Sequence, residues 1–344
     1  MEKVKYIVSN KKKAVLSDSK FKKFWITNKL DIDYLFGKAS EENEITFFGY
    51  KKKNQFDIDS VILGYTSGNS LMPESKTDSF PTFLREASNM YQVYSQYEKK
   101  GCSGIYDIDK KKLLFEGLEY VDLGNIKDHY ELNEIILKCI ESKIVPVTIG
   151  GNHYITKELI ETISEYDNTE KVIIIYDAHQ DCKYSMVKKN QINHANFVRE
   201  LLEKNDVIKV VQVGVRGLRS IDTVYEHQKL INISTEKIEQ LPECIKQLQN
   251  LYPNAKGYLS VDLDVVDPNY YPYVDFQIPE GISPSALVKS IDDVFITIPI
   301  LGCDLVEGLP TNNYANANIP LILLVHILDG INKTKRNKEV RKNE

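Results

Sequence analysis

The chain has 344 residues, of which 42% are hydrophobic and 27% are charged. These proportions are typical of a globular protein and exclude wholesale disorder, and the length suffices for one large domain or two ordinary ones. The formal net charge of −5 is mild, and no basic stretch is interleaved with aromatic residues, so we expect no nucleic acid partner.

The five cysteines are scattered without paired spacing, which is typical of reduced thiols in a cytoplasmic protein. The first residues contain no apolar stretch of signal-peptide type. The longest apolar run, residues 319–328, is interrupted by Pro320 and His326 and is too short to cross a bilayer, so we interpret it as a buried helix. We therefore expect a cytoplasmic protein with no membrane partner, and the sequence leaves homo-oligomer formation open.

The chain is predicted to contain one main domain with an extension at each end. Residues 1–56 are polar and rich in lysine, with isolated aromatic positions such as Phe47 and Phe48, and they predict an extension packed on the main domain. The main domain is expected over residues 57–331, and residues 332–344 are expected to form a charged C-terminal tail.

Within the main domain, short apolar runs rich in valine and isoleucine alternate with segments whose apolar residues recur at helical intervals. The runs predict strands at 60–63, 120–123, 144–149, 172–176, 208–213, 258–261 and 300–306. The helical segments are 131–142, 157–165, 195–204, 242–251 and 284–295. Strands that are apolar on both faces and alternate with helices predict an α/β fold, a three-layer, doubly wound parallel sheet.

Acidic and histidine side chains directly follow four of the predicted strands. In an open parallel sheet, ligands bind beyond the carboxyl ends of the strands. Residues two apart in an extended chain point the same way, so the members of each group can converge. The residues concerned are His153, Asp177, His179, Asp181, Asp262, Asp264 and Glu307.

This set of side chains predicts a metal site at the carboxyl edge of the sheet. A single Asp-x-Asp usually caps a turn or a helix, and a single buried histidine is usually a core residue. Four crowded aspartates, however, would repel one another unless a cation neutralised them. Two divalent ions do so if an aspartate bridges them, and a mixture of imidazole and carboxylate suits manganese or a similar first-row ion.

The order Gly-Gly-x-His, Asp-Ala-His-x-Asp and Ser-x-Asp-x-Asp-x-x-Asp-Pro resembles the arginase/agmatinase family of ureohydrolases, and the resemblance extends from residue 60 to Glu307. It implies an arginase-like fold and a Mn²⁺-dependent hydrolase, with two ions per chain, that cleaves a guanidino group to urea and an amine. The implied ligands of one ion are His153, Asp177, Asp181 and Asp262, and those of the other are His179, Asp177, Asp262 and Asp264. Asp177 and Asp262 would bridge.

The resemblance also implies three catalytic roles. Asp181 would accept a proton from the attacking water and pass it to the leaving amine. His194, thirteen positions after Asp181, would exchange protons with solvent, although Ala195 replaces the family's glycine; the alternative is a surface histidine at a helix start. Glu307 would bind the guanidinium group of the substrate, and the alternative is a carboxylate that caps a helix or pairs with a lysine.

The substrate is less well defined by the motifs. Lys183 and Asn190 stand where arginases have the asparagine and serine that bind the α-carboxylate of arginine, and as substrate-binding residues both could still hydrogen-bond a carboxylate or a peptide carbonyl. Bulky residues replace the family's glycine-rich loop at 273–278. Asn152 stands where the family usually has aspartate, which puts the metal affinity in question. We expect an atypical member that acts on an arginine side chain, within a peptide in the manner of a peptide-modifying arginase, and that gives ornithine.

Four alternatives stay open. Two are other substrates, namely agmatine or a guanidino acid, and formiminoglutamate. The third is a zinc deacetylase of related fold with a single metal, and the fourth is a non-catalytic regulatory homologue. Metal content and urea release distinguish among them.

Overall fold

The strands predicted from the sequence all lie in one sheet. The computed structural model describes residues 45–49, 58–66, 75–91, 104–126, 128–183, 192–221 and 224–343, with side chains as far as residue 336. The strands in chain order are β1 (Ser60–Tyr65), β2 (Ile105–Asp107), β3 (Lys112–Leu114), β4 (Tyr120–Asn125), β5 (Val145–Gly150), β6 (Lys171–Tyr176), β7 (Val207–Val213), β8 (Leu230–Ile233), β9 (Lys256–Asp262) and β10 (Ile300–Val306).

Eight of these strands form the central sheet, in the order β4-β1-β5-β10-β9-β6-β7-β8, and every pairing is parallel. The strands β2 and β3 form a separate antiparallel hairpin. This hairpin and the edge strand β8 were not predicted, because their runs of three or four residues are only partly buried and carry no continuous apolar signal.

Seven α-helices accompany the sheet in the described part of the chain. They are α1 (Phe80–Ser88), α2 (His129–Ser142), α3 (Ile155–Tyr166), α4 (Phe197–Leu202), α5 (Leu241–Leu251), α6 (Pro284–Thr297) and α7 (Asn318–Asn343). Helix α1 was not predicted. Helix α4 begins two residues later than predicted, because the side chains of Asn193 and Asn196 form turns with the backbone before it. The Oδ1 of Asn193 accepts a hydrogen bond from the N–H of Ala195 at 3.0 Å, and the Oδ1 of Asn196 accepts one from the N–H of Asn193 at 2.8 Å.

The helices cover both faces of the sheet. Strand β6 shows the arrangement, since Val172, Ile174 and Tyr176 face one core with α1, α5, α6 and α7, whereas Ile173 and Ile175 face the other core with α2, α3 and α4. Alternate side chains of a strand point to opposite faces, so a strand buried on both sides is apolar at every position. The predicted three-layer, doubly wound parallel sheet is confirmed.

Helix α7 contains the buried helix predicted at 319–328 and continues past it. The predicted charged tail begins inside this helix, where Asn332 is buried and its Nδ2 donates to the carbonyl of Glu116 at 2.9 Å. The boundary of the tail at residue 332 stays a prediction. The segment Tyr314–Arg336 is long and apolar enough to cross a membrane, but 67% of its most apolar 18-residue stretch is buried inside the protein. Burial against the sheet accounts for its apolar character.

Most of the predicted N-terminal extension, residues 1–44 and 50–56, lies outside the described residues. In the described piece, Phe47 and Phe48 are fully buried. The N–H of Phe47 donates to the Oδ2 of Asp122 at 2.8 Å, and Arg85 pairs with the same carboxylate at 2.9 Å while lying over the Phe47 ring. The boundaries of the extension and of the main domain stay predictions.

The buried ion pair between Arg85 and Asp122 yields a test of the fold. Arg85→Leu would leave the carboxylate of Asp122 buried without a cation, and we expect the free energy of unfolding to fall by about 3–5 kcal/mol in urea denaturation. The matched control is Arg219→Leu at an exposed arginine, for which a change within about 0.5 kcal/mol is expected. Equal losses in the two variants would contradict the importance of this pair.

Candidate active site

The strands that deliver the predicted site residues are neighbours in the sheet. Strands β5, β10, β9 and β6 lie side by side at its centre, although they are far apart in the chain. Their carboxyl ends therefore open onto one edge, where the segments that begin at residues 151, 307, 262 and 177 meet. All six predicted metal ligands lie in two clusters at this edge, one around each histidine.

The first cluster is centred on the buried His153. Its Nδ1 lies 3.2 Å from the Oδ2 of Asp177, 3.1 Å from the Oδ2 of Asp262 and 3.4 Å from the Oδ2 of Asp181. Three carboxylates, two of them buried and that of Asp181 slightly exposed, therefore face a single buried imidazole nitrogen.

The second cluster is centred on His179. Its Nδ1 lies 2.7 Å from the Oδ2 of Asp264 and 3.6 Å from the Oδ1 of Asp177. Asp177 thus presents one oxygen to each histidine, which suits a bridging ligand. The Oδ1 of Asp262, the other predicted bridge, accepts a hydrogen bond from the N–H of Asp264 at 2.8 Å, so in this geometry Asp262 contributes to the His153 cluster alone. Its bridging role stays a prediction.

The donor set fits divalent cations. Within the described ranges, the Nδ1 of His153 and the Oδ2 of Asp177 are buried atoms with no hydrogen-bond partner. Leaving such atoms unsatisfied is costly, and a cation between them removes the cost. Backbone hydrogen bonds hold two of the carboxylates in place. The N–H of His179 donates to the Oδ1 of Asp177 at 2.5 Å, and the N–H of Ala178 donates to the Oδ1 of Asp264 at 2.9 Å.

The acidity of these groups reflects their crowding. Burial, together with the negative charge of Asp177, raises the pKa of Asp181 to about 6. Burial and the neighbouring Asp264 raise the pKa of Asp262 well above its usual range. Burial opposes protonation of His179, but its contacts with Asp177 and Asp264 outweigh that effect and raise its pKa to about 11. Without a cation, the cluster therefore retains protons at neutral pH.

Asn152, where the resembling family has aspartate, is buried beside the first cluster. Its Oδ1 accepts from the N–H of Tyr154 at 3.0 Å and so shapes the turn that carries His153. A neutral amide oxygen can accept this bond as a carboxylate would. The substitution removes one negative charge and keeps the turn.

Glu307 follows β10 in a left-handed conformation, with φ of 63°. Its N–H donates to the carbonyl of Gly151 at 2.9 Å, and its Oε1 accepts from the N–H of His153 at 2.7 Å. No lysine or arginine of the described segments pairs with it, and no hydrogen bond reaches its Oε2. Burial, with the charges of Asp181 and Asp264, raises the pKa of Glu307 to about 8. The carboxylate thus makes a single backbone contact, as a helix cap would, but its Oε2 is left free.

His194 lies half-buried in the turn before α4. Burial and the positive charge of His153 lower its pKa to about 4, and its Nδ1 is buried without a hydrogen-bond partner in the described part of the chain. It is therefore not a fully exposed helix-start histidine. Lys183 is exposed, and its N–H donates to the carbonyl of Ala195 at 2.9 Å, which ties it to the same turn. Asn190 lies outside the described residues.

Sequence reasoning missed Arg216, which stabilises the rim of the site. Its guanidinium donates to the carbonyls of Asp264, Val265 and Ile278 at 2.8, 3.2 and 2.7 Å. These bonds join the second metal-ligand segment to the loop whose Phe276 packs edge-on against the His179 ring, with centroids 6.1 Å apart. The sequence signal that could have identified Arg216 is its position three residues after the end of β7, at the same edge of the sheet as the predicted ligands.

A cleft of about 600 Å³ lies along the segment that follows Glu307. Phe83, Tyr314, Thr311 and Asp78 are among the residues that line it. Asp78 on the wall of the cleft also lies beside the turn that carries His153, because a Cβ atom on Gly151 would lie 2.6 Å from the Oδ1 of Asp78. The cleft is therefore next to the His153 turn, although neither Glu307 nor any predicted metal ligand is among the residues that line it.

Comparisons with known proteins agree with this geometry. The model of the arginase family matches residues 58–328. An uncharacterized 32.2 kDa protein from Methanothermus fervidus is 29% identical over 235 residues, which make up 66% of this chain and 75% of that protein. A mitochondrial agmatinase from Gallus gallus is 27% identical over 263 residues, or 74% of each chain.

The fold is shared with solved structures as well. A formiminoglutamase from Trypanosoma cruzi, solved with Mn²⁺, aligns with a TM-score of 0.67 over 84% of this chain and 99% of that chain, at 15% identity. An agmatine ureohydrolase from Thermoplasma volcanium aligns with a TM-score of 0.64 over 88% and 99%, at 19% identity. Since the family match covers most of the chain and includes every strand of the central sheet, the protein belongs to the arginase family.

Proposed function

We propose that this protein hydrolyses a guanidino group to urea and an amine, with two Mn²⁺ ions held by the clusters around His153 and His179. The observation that carries the proposal is the position of Glu307, a half-buried carboxylate with a free oxygen beside two clusters that share Asp177. Membership of the arginase family supports the same reaction.

Two ions are favoured over one because the clusters are distinct. His153 faces Asp177, Asp181 and Asp262, whereas His179 faces Asp264 and the other oxygen of Asp177. A zinc deacetylase with a single metal would leave the second cluster without a role. A regulatory homologue without activity would have no need of both clusters together with Glu307.

Bound ions would supply a Lewis acid and a water molecule that is activated near neutral pH. The residues of the chain position the other reactant. The free Oε2 of Glu307, together with Oε1, can accept parallel N–H bonds from a planar guanidinium. Because Oε1 is already anchored by the N–H of His153 at 2.7 Å, the guanidinium carbon is held close to the first cluster.

Proton transfer is assigned to Asp181 and His194. Asp181 lies 3.4 Å from the Nδ1 of His153, and burial raises its pKa to about 6, which suits a group that accepts a proton from water and returns it to the leaving amine. Burial lowers the pKa of His194 and so keeps it neutral. Its buried, unpartnered Nδ1 can accept a proton within the site, and the exposed part of the ring can exchange a proton with solvent.

We propose an arginine side chain within a peptide as the substrate, which would give peptidyl ornithine. The cleft of about 600 Å³ beside the segment that follows Glu307 leaves room for a substrate that extends beyond its guanidino group. Lys183, next to the His194 turn, is exposed and can bind a peptide carbonyl. Agmatine is the second candidate, because the Gallus gallus relative, similar over 74% of the chain, is named an agmatinase.

The reaction is tested by urea release from protein reconstituted with Mn²⁺. Free arginine, agmatine, guanidinobutyrate and an arginine placed inside a short peptide are compared, each with a chelated control. We expect urea from the peptide, lost on chelation, because the cleft accommodates a chain. Urea from agmatine alone would establish the second candidate, and no urea from any substrate despite two bound ions would refute guanidino hydrolysis.

The role of Glu307 is tested by Glu307→Gln. The amide retains the acceptor for the N–H of His153 but loses the charge that binds the guanidinium, so we expect kcat/KM to fall by about a hundredfold or more with metal content unchanged. Glu239→Gln, at an exposed glutamate, is the matched control and should retain wild-type kinetics. A Glu307→Gln enzyme with wild-type kcat/KM would show that Glu307 does not bind the substrate.

The crowded carboxylates predict pH-dependent metal affinity. The pKa of His179 is raised to about 11 and that of Asp181 to about 6. In the metal-free protein, His179 therefore holds a proton throughout the neutral range and Asp181 holds one below about pH 6, and a metal ion must displace these protons to bind. Affinity for Mn²⁺ should therefore strengthen as pH rises from about 6 to 8, by about tenfold per unit for each proton released. Titration calorimetry in two buffers of different ionisation enthalpy counts the protons; a pH-independent affinity with no proton release would contradict this account.

A further inference from the structure

Asp304 is a fully buried carboxylate in the central strand β10 to which the proposed reaction assigns no role. No lysine or arginine of the described chain pairs with it. Instead, three hydroxyl groups donate to it: that of Tyr258 to Oδ2 at 2.7 Å, that of Thr156 to Oδ2 at 2.9 Å and that of Ser260 to Oδ1 at 2.6 Å. Burial of a carboxylate is costly, so three hydrogen bonds, two from the neighbouring strand β9 and one from helix α3, indicate a specific placement.

The hydrogen bonds have a defined direction. Ser260 has a single hydroxyl proton, and the short bond to Asp304 uses it. The Oγ of Ser260 must therefore act as the acceptor towards the Nε2 of His153, 2.9 Å away. His153 then carries a proton on Nε2, which leaves the lone pair of Nδ1 directed at Asp177 and its neighbours.

Three further contacts hold this arrangement. The Oγ1 of Thr156 lies 3.1 Å from the Oγ of Ser260, and the N–H of Thr156 donates to the carbonyl of His153 at 3.2 Å. The His153 ring packs against Phe197, with centroids 4.8 Å apart. His179 has no comparable support: its side chain is partly exposed, and no hydrogen bond from the described residues reaches its Nε2.

We propose that Asp304 is a positioning residue for metal binding, which acts through Ser260 to hold His153 in the orientation and tautomer that bind a cation through Nδ1. The inference rests on the proposed function only in that His153 is taken as a metal ligand. Partners of this kind behind a ligating histidine raise metal affinity by about 10- to 100-fold. Because the hydrogen-bond chain reaches His153 alone, the effect is confined to one of the two ions.

Asp304→Asn separates positioning from a general structural role. The two hydroxyls of Tyr258 and Thr156 require an acceptor, so the amide oxygen faces them and the amide NH₂ group faces Ser260. Ser260 then accepts from Asn and turns its proton towards His153, which favours the tautomer with a proton on Nδ1. That tautomer cannot bind the cation through Nδ1.

The experiment measures Mn²⁺ dissociation constants by chelator competition, alongside the unfolding of each metal-free protein. We expect Asp304→Asn and Ser260→Ala each to raise the dissociation constant of one of the two Mn²⁺ ions by about 10- to 100-fold and to leave that of the other ion unchanged. The matched control is Asp122→Asn, at a buried carboxylate far from the site, which should destabilise the fold while both ions bind with wild-type affinity.

The outcomes separate the inference from the proposed function. Wild-type protein that binds no Mn²⁺ would overturn the proposed function and the inference together. Wild-type protein that binds two ions, with unchanged affinities in Ser260→Ala and Asp304→Asn, would overturn the inference alone. An equal loss of affinity in Asp122→Asn would also overturn it, because the effect would then follow from destabilisation. If Asp304→Asn does not fold, Ser260→Ala decides, since it removes only one hydroxyl group.

Discussion

The carboxylate of Asp177 faces His153 with one oxygen and His179 with the other, at 3.2 and 3.6 Å, in a position that water does not reach. Every other feature of the centre follows from placing a negative charge there. Further aspartates can surround it only where cations or protons offset their repulsion, because the local dielectric is low. Contacts with the imidazoles of His153 and His179 hold the pKa of Asp177 below its usual range despite burial.

The sheet makes this crowding achievable. The four segments that carry the predicted site residues lie far apart in the chain. The sheet order places the strands before them side by side, with all their carboxyl ends at one edge. The strands themselves are buried on both faces and make a rigid base, so the ligands need only short turns to converge. Backbone hydrogen bonds fix those turns: the N–H of Ala178 donates to the carboxylate of Asp264, and the N–H of Asp264 donates to that of Asp262.

The site has two sides of different character. The side with the predicted metal ligands is largely buried and closely hydrogen-bonded, and it lies within the part of the chain that matches the arginase family. The side around Glu307 is more open: Glu307 has a free oxygen, Phe276 borders the His179 ring, and a cleft is lined by residues from Asp78 to Tyr314. Arg216 connects the two, since it donates to carbonyls both of a ligand segment and of the rim loop. The predicted metal ligands and the more open surface thus belong to different segments of the protein.

Local patterns in the sequence determined the elements and the contents of the site. Apolar runs identified seven of the eight sheet strands, because a strand buried on both faces is apolar throughout, and the acidic and histidine residues were visible as the residues that end those runs. The same patterns missed β8 and the hairpin, whose short strands are only partly buried, and placed the start of α4 too early because side-chain turns at Asn193 and Asn196 compete with the helix.

Only the tertiary structure decided which segments became neighbours. The insertion of β10 and β9 between β5 and β6 brings the oxygens of Asp304 to Ser260 and to Thr156, which is 148 residues away along the chain. It also leaves Glu307 without a cation in the described chain and sets Asp78 against Gly151. Periodicity reports which face of an element is buried. Hydrogen-bond partners across the sheet depend on strand order and register, which no local pattern encodes.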